Sequence, residues 1–389
     1  MSAFVPGNRI RLLRAGVEYF PALEAACDAA RREIYLETYI FADDVTGHRI
    51  ARALMRAARR GVATHLLIDG FGSKEFREEL AQEMREAGVR LLRYRPDISP
   101  WTLSRQRLRR MHRKIAVIDA RIAFVGGINI IDDMHTPKKQ IPPRFDYAVR
   151  VEGPLLAEIH PVVTRLWVLV VWTQFRQRGP QPPAAMVHAA HRGEQRAAFL
   201  IRDNLRHRRD IENAYLDAIT RAQKDIVIAN AYFFPGLSFR RALIEAAARG
   251  VRVVLLLQGR VEYFLLHYAS RALYRHFLDA GIEIHEYRRS FLHAKVAVID
   301  NRWATVGSSN IDPMSLLLAR EANVVIDDTG FAHELKASLT EAMQKGARQV
   351  HRATWKKQPL QARAMNWICF GLVRFLTGWS SYGRTREFR

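Results

Sequence analysis

His112-Arg113-Lys114-Ile115-Ala116-Val117-Ile118-Asp119 is followed, seven residues on, by Gly126-Gly127-Ile128-Asn129. The same string returns as His293-Ala294-Lys295-Val296-Ala297-Val298-Ile299-Asp300, with Gly307-Ser308-Ser309-Asn310 behind it. His, Lys, Asp, Gly and Asn recur at identical offsets, 181 positions apart. A single histidine two residues before a lysine means little, but two copies with every spacing kept point to a duplicated unit with one chemistry. After each His the residues are β-branched and apolar, so each copy reads as a strand entering a tight turn at Asp119-Ala120 or Asp300-Asn301. Side chains two apart on a strand share a face, which puts His112 beside Lys114 and His293 beside Lys295. An imidazole next to an ammonium suits attack on a phosphoryl group: the cation holds phosphate oxygens while the imidazole attacks or moves a proton. Asp119 and Asp300 fall on the opposite parity and read as turn or inter-strand anchors. The glycine-rich turns ending in Asn129 and Asn310 let the backbone approach a phosphate and add an amide donor.

Working outward, the first copy is preceded by a strand–helix alternation, which argues for an α/β layer architecture. A short strand is expected over Arg9–Leu13 and an amphipathic helix over Val17–Arg31. A strand follows over Glu33–Phe41, then a helix over Gly47–Arg60 stopped by Gly61. Val62–Asp69 is a nearly continuous apolar run, as in a buried parallel strand, and Lys74–Ala87 (helix), Gly88 and Val89–Tyr94 (strand) complete the series. The second half repeats the order: Lys224–Phe234 stands for the strand at Glu33, Gly250 answers Gly61 and Gly281 answers Gly88. A repeat of this length is a duplicated domain with loops of different length. The expected division is a first domain over 1–178, a linker over 179–197 around Gly179-Pro180-Gln181-Pro182-Pro183, a second domain over 198–341 and a tail over 342–389. Leu155–Phe175 reads as a helix with an apolar end too short to span a bilayer, and is expected to pack between the domains.

The balance of 61 Lys+Arg against 39 Asp+Glu, a net charge of +22, calls for a polyanionic partner, either nucleic acid or an anionic membrane surface. Arg93 to Lys114, with Trp101 inside it, carries eight basic residues against the single acid Asp97 and runs straight into the first motif. Arg206, Arg208 and Arg209 form a second basic cluster. The tail holds ten Lys/Arg and one acid, Glu387, and its Met365–Trp379 segment has the apolar and aromatic character of an interfacial helix on anionic lipid. Val261–Tyr268 is a second apolar-aromatic stretch, suited to an acyl-chain wall or to plain core. Cys27 and Cys369 are the only cysteines, which excludes a disulfide framework and a Cys-based zinc site. No HExxH or clustered carboxylate spacing suggests a metal, so neither metal nor cofactor is expected. Without an apolar signal-peptide core at the N-terminus or a run of about 18 apolar residues, the chain is expected in the cytoplasm.

The pattern HxKxxxxD with a following GGxN or GSxN resembles the phospholipase D superfamily, in which two such half-sites form one active site. Phe145–Pro154 and Ser308–Leu316 are similar to the bacterial cardiolipin synthase branch, in its short form without N-terminal transmembrane helices. The resemblance implies two duplicated α/β/α sandwich domains with the site at their interface. It implies a catalytic set of His112, Lys114, Asp119, His293, Lys295 and Asp300, with one His as nucleophile and the other as general acid/base. His112 is taken as the nucleophile, with the two roles open to exchange. Lys114, Lys295, Asn129, Asn310 and Ser308 would hold phosphate oxygens. Asp146 and Glu321, each a short way after a motif, would orient the histidine of that motif, fixing its tautomer. One departure is Gly127, where the second copy has Ser308. The implied reaction is transfer of a phosphatidyl group to phosphatidylglycerol with release of glycerol, by a protein lying peripherally on the cytoplasmic face of a bacterial inner membrane. A phosphodiesterase hydrolysing phospholipid or nucleic acid is the alternative.

Overall fold

In the computed structural model, which describes residues 3–95, 110–137, 140–175, 190–203, 207–312 and 319–377, each copy of the repeat builds the same succession of elements. The first half runs β1 (Val5–Arg14), α1 (Ala15–Ala29), β2 (Glu33–Thr38), α2 (Val45–Arg59), β3 (Ala63–Asp69), α3 (Glu78–Glu86) and β4 (Arg90–Tyr94). It continues with β5 (Arg110–Met111), β6 (Lys114–Ile118), β7 (Ile122–Gly126), β8 (Arg144–Phe145), β9 (Tyr147–Glu152) and α4 (Leu156–Phe175). The second half answers with β10 (Gln195–Arg202), α5 (Asp210–Arg221), β11 (Asp225–Asn230), α6 (Leu237–Ala248), β12 (Arg252–Gln258), α7 (Phe264–Ala272), α8 (Tyr274–Asp279) and β13 (Glu283–Tyr287). Then come β14 (Phe291–Leu292), β15 (Lys295–Ile299), β16 (Trp303–Gly307), β17 (Ala319–Asp327), α9 (Thr329–Gly346), β18 (Ala347–Gln349), α10 (Arg352–Lys356) and α11 (Leu360–Thr377).

The apolar runs became the buried parallel strands: β2, β3 and β4 pair in parallel, as do β11, β12 and β13. The motif strands β6 and β15 flank them antiparallel, so each His–Lys pair lies at the edge of a parallel trio. Gly61 and Gly250, at φ of +86° and +90°, end α2 and α6 in the left-handed conformation that only glycine adopts cheaply. β1 pairs with β9 of its own half and β10 of the other, which joins the halves into one continuous sheet of sixteen strands. Two outer cores, one per half, sit under α1–α3 and under α5–α8. A third core is shared: Val117, Val125 and Val149 of the first half pack in one cluster with Val296, Val298 and Val324 of the second.

Several expectations shift. The first strand extends to Val5–Arg14. α3 begins only at Glu78, because Asp69 accepts the amides of Phe71 and Gly72 and holds the intervening chain in turns. α9 runs through the boundary expected at 341, so that boundary does not separate structural units. α4 is long and apolar enough to cross a membrane, and among the described residues it is the one helix that is. Its Ile159, Val163, Leu166 and Val170 are instead buried in the shared core, against β2, β4, β6 and β7 of the first half. Most of the expected linker, the segment around Trp101, and Arg206 lie outside the described residues.

Candidate active site

Two short strand pairings between the halves set the site. β5 runs parallel to the start of β17, with Met111 opposite Arg320, and the His112 amide donates to the Arg320 carbonyl at 3.0 Å. β8 runs parallel to β14, with Phe145 opposite Leu292, and the His293 amide donates to the Phe145 carbonyl at 2.8 Å. Each histidine is thereby fastened one residue away from a carboxylate of the other half. His112 Nδ1 lies 2.8 Å from Glu321 Oε1, and His293 Nδ1 lies 2.6 Å from Asp146 Oδ2. The expectation that each carboxylate serves the histidine of its own motif is therefore corrected: the pairing is crossed. Spacing along the chain does not reveal this, because strand pairs formed across the halves decide it.

With Nδ1–H donated to a carboxylate, each Nε2 lone pair faces away from it. Glu321 is fully buried, and burial alone would raise its pKa, but the neighbouring His112 and Lys114 and a hydrogen bond from Ser308 hold the carboxyl below its usual range. Burial, opposed by Glu321, lowers the pKa of His112. The direction of both is toward an ionised carboxylate beside a neutral imidazole. Across the site, burial raises Asp146 while the Lys295 charge opposes. Burial, then the Lys295 and Arg144 charges, drives His293 well below the ordinary histidine value. Lys114 is pushed down to about 7 by burial, with Glu321 opposing and Lys295 adding to the depression. Lys114, Lys295 and Arg144, all buried, stand beside the two imidazoles, a setting that suits a bound anion.

The other expected residues separate into two groups. Lys114 Nζ donates to the His112 carbonyl at 2.5 Å, and Lys295 lies 3.5 Å from Asp146, so both ammonium groups are in the site. Asn129 accepts from the Ile40 amide at 3.1 Å, while Asn310 Oδ1 is buried without a partner among the described residues. Asp119 and Asp300 are not in the catalytic set. They cap the far ends of the motif strands: Asp119 accepts the amides of Arg31, Arg32 and Glu33 at 2.7–3.0 Å, and Asp300 those of Gln223, Lys224 and Asp225 at 2.7–3.1 Å. Ser308 is likewise corrected, because its hydroxyl donates to Glu321 Oε2 at 2.5 Å and accepts from the Ala322 amide. A Cβ on Gly127 would come within 2.4 Å of the Asp146 carboxylate. The glycine and the serine are thus matched to the shorter and the longer acid.

Residues the motif did not announce complete the site. Tyr39 packs edge-on to His112 at 4.8 Å between ring centroids and lies under Lys114 Nζ at 5.4 Å. Asp69, fully buried at the end of β3, accepts the Met111 amide at 2.8 Å and so anchors the residue before His112. Arg144 stacks over Phe291 at 5.5 Å and keeps its Nη1 buried and unpaired. Arg113, between the motif His and Lys, forms a buried pair with Glu37 and reaches the Val162 carbonyl of α4. The sheet registers show which second-half positions correspond: Tyr39 answers to Ala231, and Asp69 to Gln258. The two half-sites are alike at the motif and different around it. Among the described residues no group of three or more His, Cys, Asp or Glu side chains could hold a metal ion.

A protein-family profile described as "Cardiolipin synthase, PLD-like domain" matches residues 23–138 and 215–343, one stretch in each half. A protein named cardiolipin synthase B from Shigella flexneri is 39% identical over 387 residues, covering 96% of this chain and 90% of that protein. Cardiolipin synthase 1 from Bacillus cereus is 28% identical, covering 91% and 70%. The crystal structure of a phosphatidylserine synthase from Haemophilus influenzae shares the fold with a TM-score of 0.72 over 97% of each chain, at 13% identity. With its duplicated sheet, paired His–Lys motifs and this degree of likeness across nearly its whole length, the chain belongs to the phospholipase D-like family of cardiolipin synthases.

Proposed function

We propose that the protein makes cardiolipin by moving a phosphatidyl group from one phosphatidylglycerol to another through a phosphohistidine on His112. The observation that carries the reading is the pair of half-buried imidazoles, 16% and 12% exposed, each backed by a buried carboxylate and set beside the buried Lys114 and Lys295. His112 Nε2 attacks phosphorus; the phosphorus–nitrogen bond forms as the bond to glycerol oxygen breaks, and His293 gives that oxygen its proton. The incoming hydroxyl then loses its proton to His293 as its oxygen bonds phosphorus and His112 leaves. Lys114 and Lys295 stabilise the charge on the non-bridging oxygens. The anionic diester offsets the Lys295 and Arg144 charges that hold the His293 pKa down, so its binding favours the protonated imidazole. The +22 net charge would also suit a nucleic acid. The test is incubation with phosphatidylglycerol and, separately, with single-stranded DNA, in EDTA. Cardiolipin and glycerol are the expected products, at a rate EDTA does not reduce; nucleotide products alone overturn the reading.

For membrane attachment the proposed element is α11. Its Asn366, Cys369 and Val373 are buried against the body of the protein, where α11 lies along α7. Its opposite stripe, Met365, Ile368, Leu372 and Phe375, is 40–66% exposed. A helix apolar on two faces with one face uncovered lacks a partner. Arg363 and Arg374, exposed on the same helix, suit anionic headgroups, giving a peripheral attachment. Replacing Ile368 and Leu372 together by Glu should weaken sedimentation with phosphatidylglycerol vesicles by about tenfold or more. Unaltered binding removes the helix from the account.

A further inference from the structure

The two half-sites differ at two positions that correspond in the sheet: a tyrosine in the first half is an alanine in the second, and an aspartate is a glutamine. In the first half Tyr39 covers His112 and Asp69 spends its carboxylate on backbone amides, Met111 among them. In the second half Ala231 replaces the tyrosine, and the amide of Ala231 bonds the Ala294 carbonyl, next to His293. Gln258 replaces the aspartate. Its Nε2 donates to Gln140 Oε1 at 3.0 Å, and its Oε1 is buried with no partner among the described residues. Ala231 and Gln258 both line a pocket of about 390 Å³, its open mouth included, whose wall also holds Tyr232, Arg260, Glu262 and Tyr263. Tyr232 donates its hydroxyl to Glu262, and the Glu262 carboxyl lies near enough to Arg144 and Lys295 for their charges to oppose the rise that burial causes. Tyr263 and Phe264, 59% and 53% exposed, stand at the start of α7, the helix that α11 lies along.

Arg260 in this wall is half-buried, while the acceptors, the buried Gln258 oxygen and the half-buried Glu262 carboxyl, disfavour a phosphate beside them. They suit hydroxyl groups, whose protons such acceptors take. A buried acceptor left without a donor is unfavourable until a ligand supplies one. We propose that this pocket is the polyol subsite: it holds the glycerol hydroxyls of the leaving alcohol and then those of the incoming one, with Gln258 and Glu262 as specificity-determining residues and the reacting hydroxyl at His293. This rests on the transfer reaction proposed above. In the half-reaction the polyol oxygen bonds phosphorus, the phosphorus–nitrogen bond to His112 breaks, and the hydroxyl proton passes to His293 Nε2. A polyol is chosen over a simple alcohol because its second hydroxyl pairs the Gln258 oxygen, and a monohydric alcohol leaves that oxygen bare.

The experiment supplies the purified full chain with phosphatidylglycerol in mixed micelles and two competing acceptors, labelled glycerol and ethanol. Label entering phosphatidylglycerol reports transfer to the polyol, and phosphatidylethanol reports transfer to the simple alcohol. Gln258→Leu and, separately, Glu262→Gln should lower the ratio of glycerol to ethanol transfer by tenfold or more, through a raised KM for glycerol. A ratio unchanged in the variants overturns the pocket, even if both rates fall together. If one variant fails to fold, detected as loss of its thermal transition, the other decides. An unaltered protein that forms cardiolipin but transfers to neither added acceptor overturns the subsite, whereas one that forms no cardiolipin overturns the proposed reaction itself.

Discussion

The His112→Ala protein incubated with phosphatidylglycerol is expected to form no acid-labile phosphoenzyme, and its cardiolipin output should fall by about 10⁴-fold or more, as for loss of a covalent nucleophile. His293→Ala should behave differently. Attack by His112 still proceeds, slowed because the leaving glycerol oxygen receives no proton. The phosphoenzyme then accumulates, because nothing deprotonates the incoming hydroxyl. Quenched-flow trapping of labelled enzyme separates the two. The reverse pattern would exchange the roles, and the environment gives the reason to expect the order stated. His112 sits beside an ionised Glu321 and is held neutral by burial, whereas His293 shares its surroundings with Lys295, Arg144 and a carboxyl that burial biases toward the protonated form.

The second large effect follows from the crossed carboxylates. Glu321 lies in the second half but serves His112, so Glu321→Gln should suppress formation of the phosphoenzyme. Its counterpart Asp146→Asn should allow formation and slow breakdown. An amide can turn its NH₂ toward Nδ1, which moves the imidazole proton to Nε2, the atom that must be bare to attack phosphorus. Loss of the right tautomer through such a change costs up to about 10⁴-fold in rate where the analogous carboxylate has been replaced in serine proteases. A defect in breakdown for Glu321→Gln and in formation for Asp146→Asn would mean that the pairing runs within each half. Thermal unfolding of both proteins distinguishes a chemical defect from collapse of the buried cluster.

The sequence carried the duplication, the α/β alternation and the two His–Lys pairs, because all of these are written in local spacing. Turn glycines such as Gly61 and Gly250 mark helix ends for a reason that needs only two neighbouring residues. The rest depends on contacts between residues far apart in the chain. Glu321 reaches His112 from 209 positions away, and it does so because β5 pairs with β17. Ser308 looked like a phosphate ligand because it lies in a glycine-rich turn, yet its hydroxyl is turned inward to Glu321, a contact settled by register between β16 and β17. Asp119 and Asp300 carry the family motif's name, while strand parity already assigned them to the turn end, and their three amide contacts each make them anchors. Tyr39, Asp69 and Arg144 belong to no repeated string. Asymmetry between the halves, Tyr39 against Ala231 and Asp69 against Gln258, is visible only once the two sheets are aligned by register.

The joining of each histidine to the other half's acid bears on what a single half can do. Gly127 is fitted to Asp146 and Ser308 to Glu321 within single halves, while the histidine each acid serves comes from across the interface. A lone half therefore carries an acid prepared for a histidine it does not own. Two copies of one half meeting face to face would supply each other, so the interface between halves is as much a part of each catalytic pair as the motif itself. A substitution beside either acid therefore acts through the histidine of the opposite half.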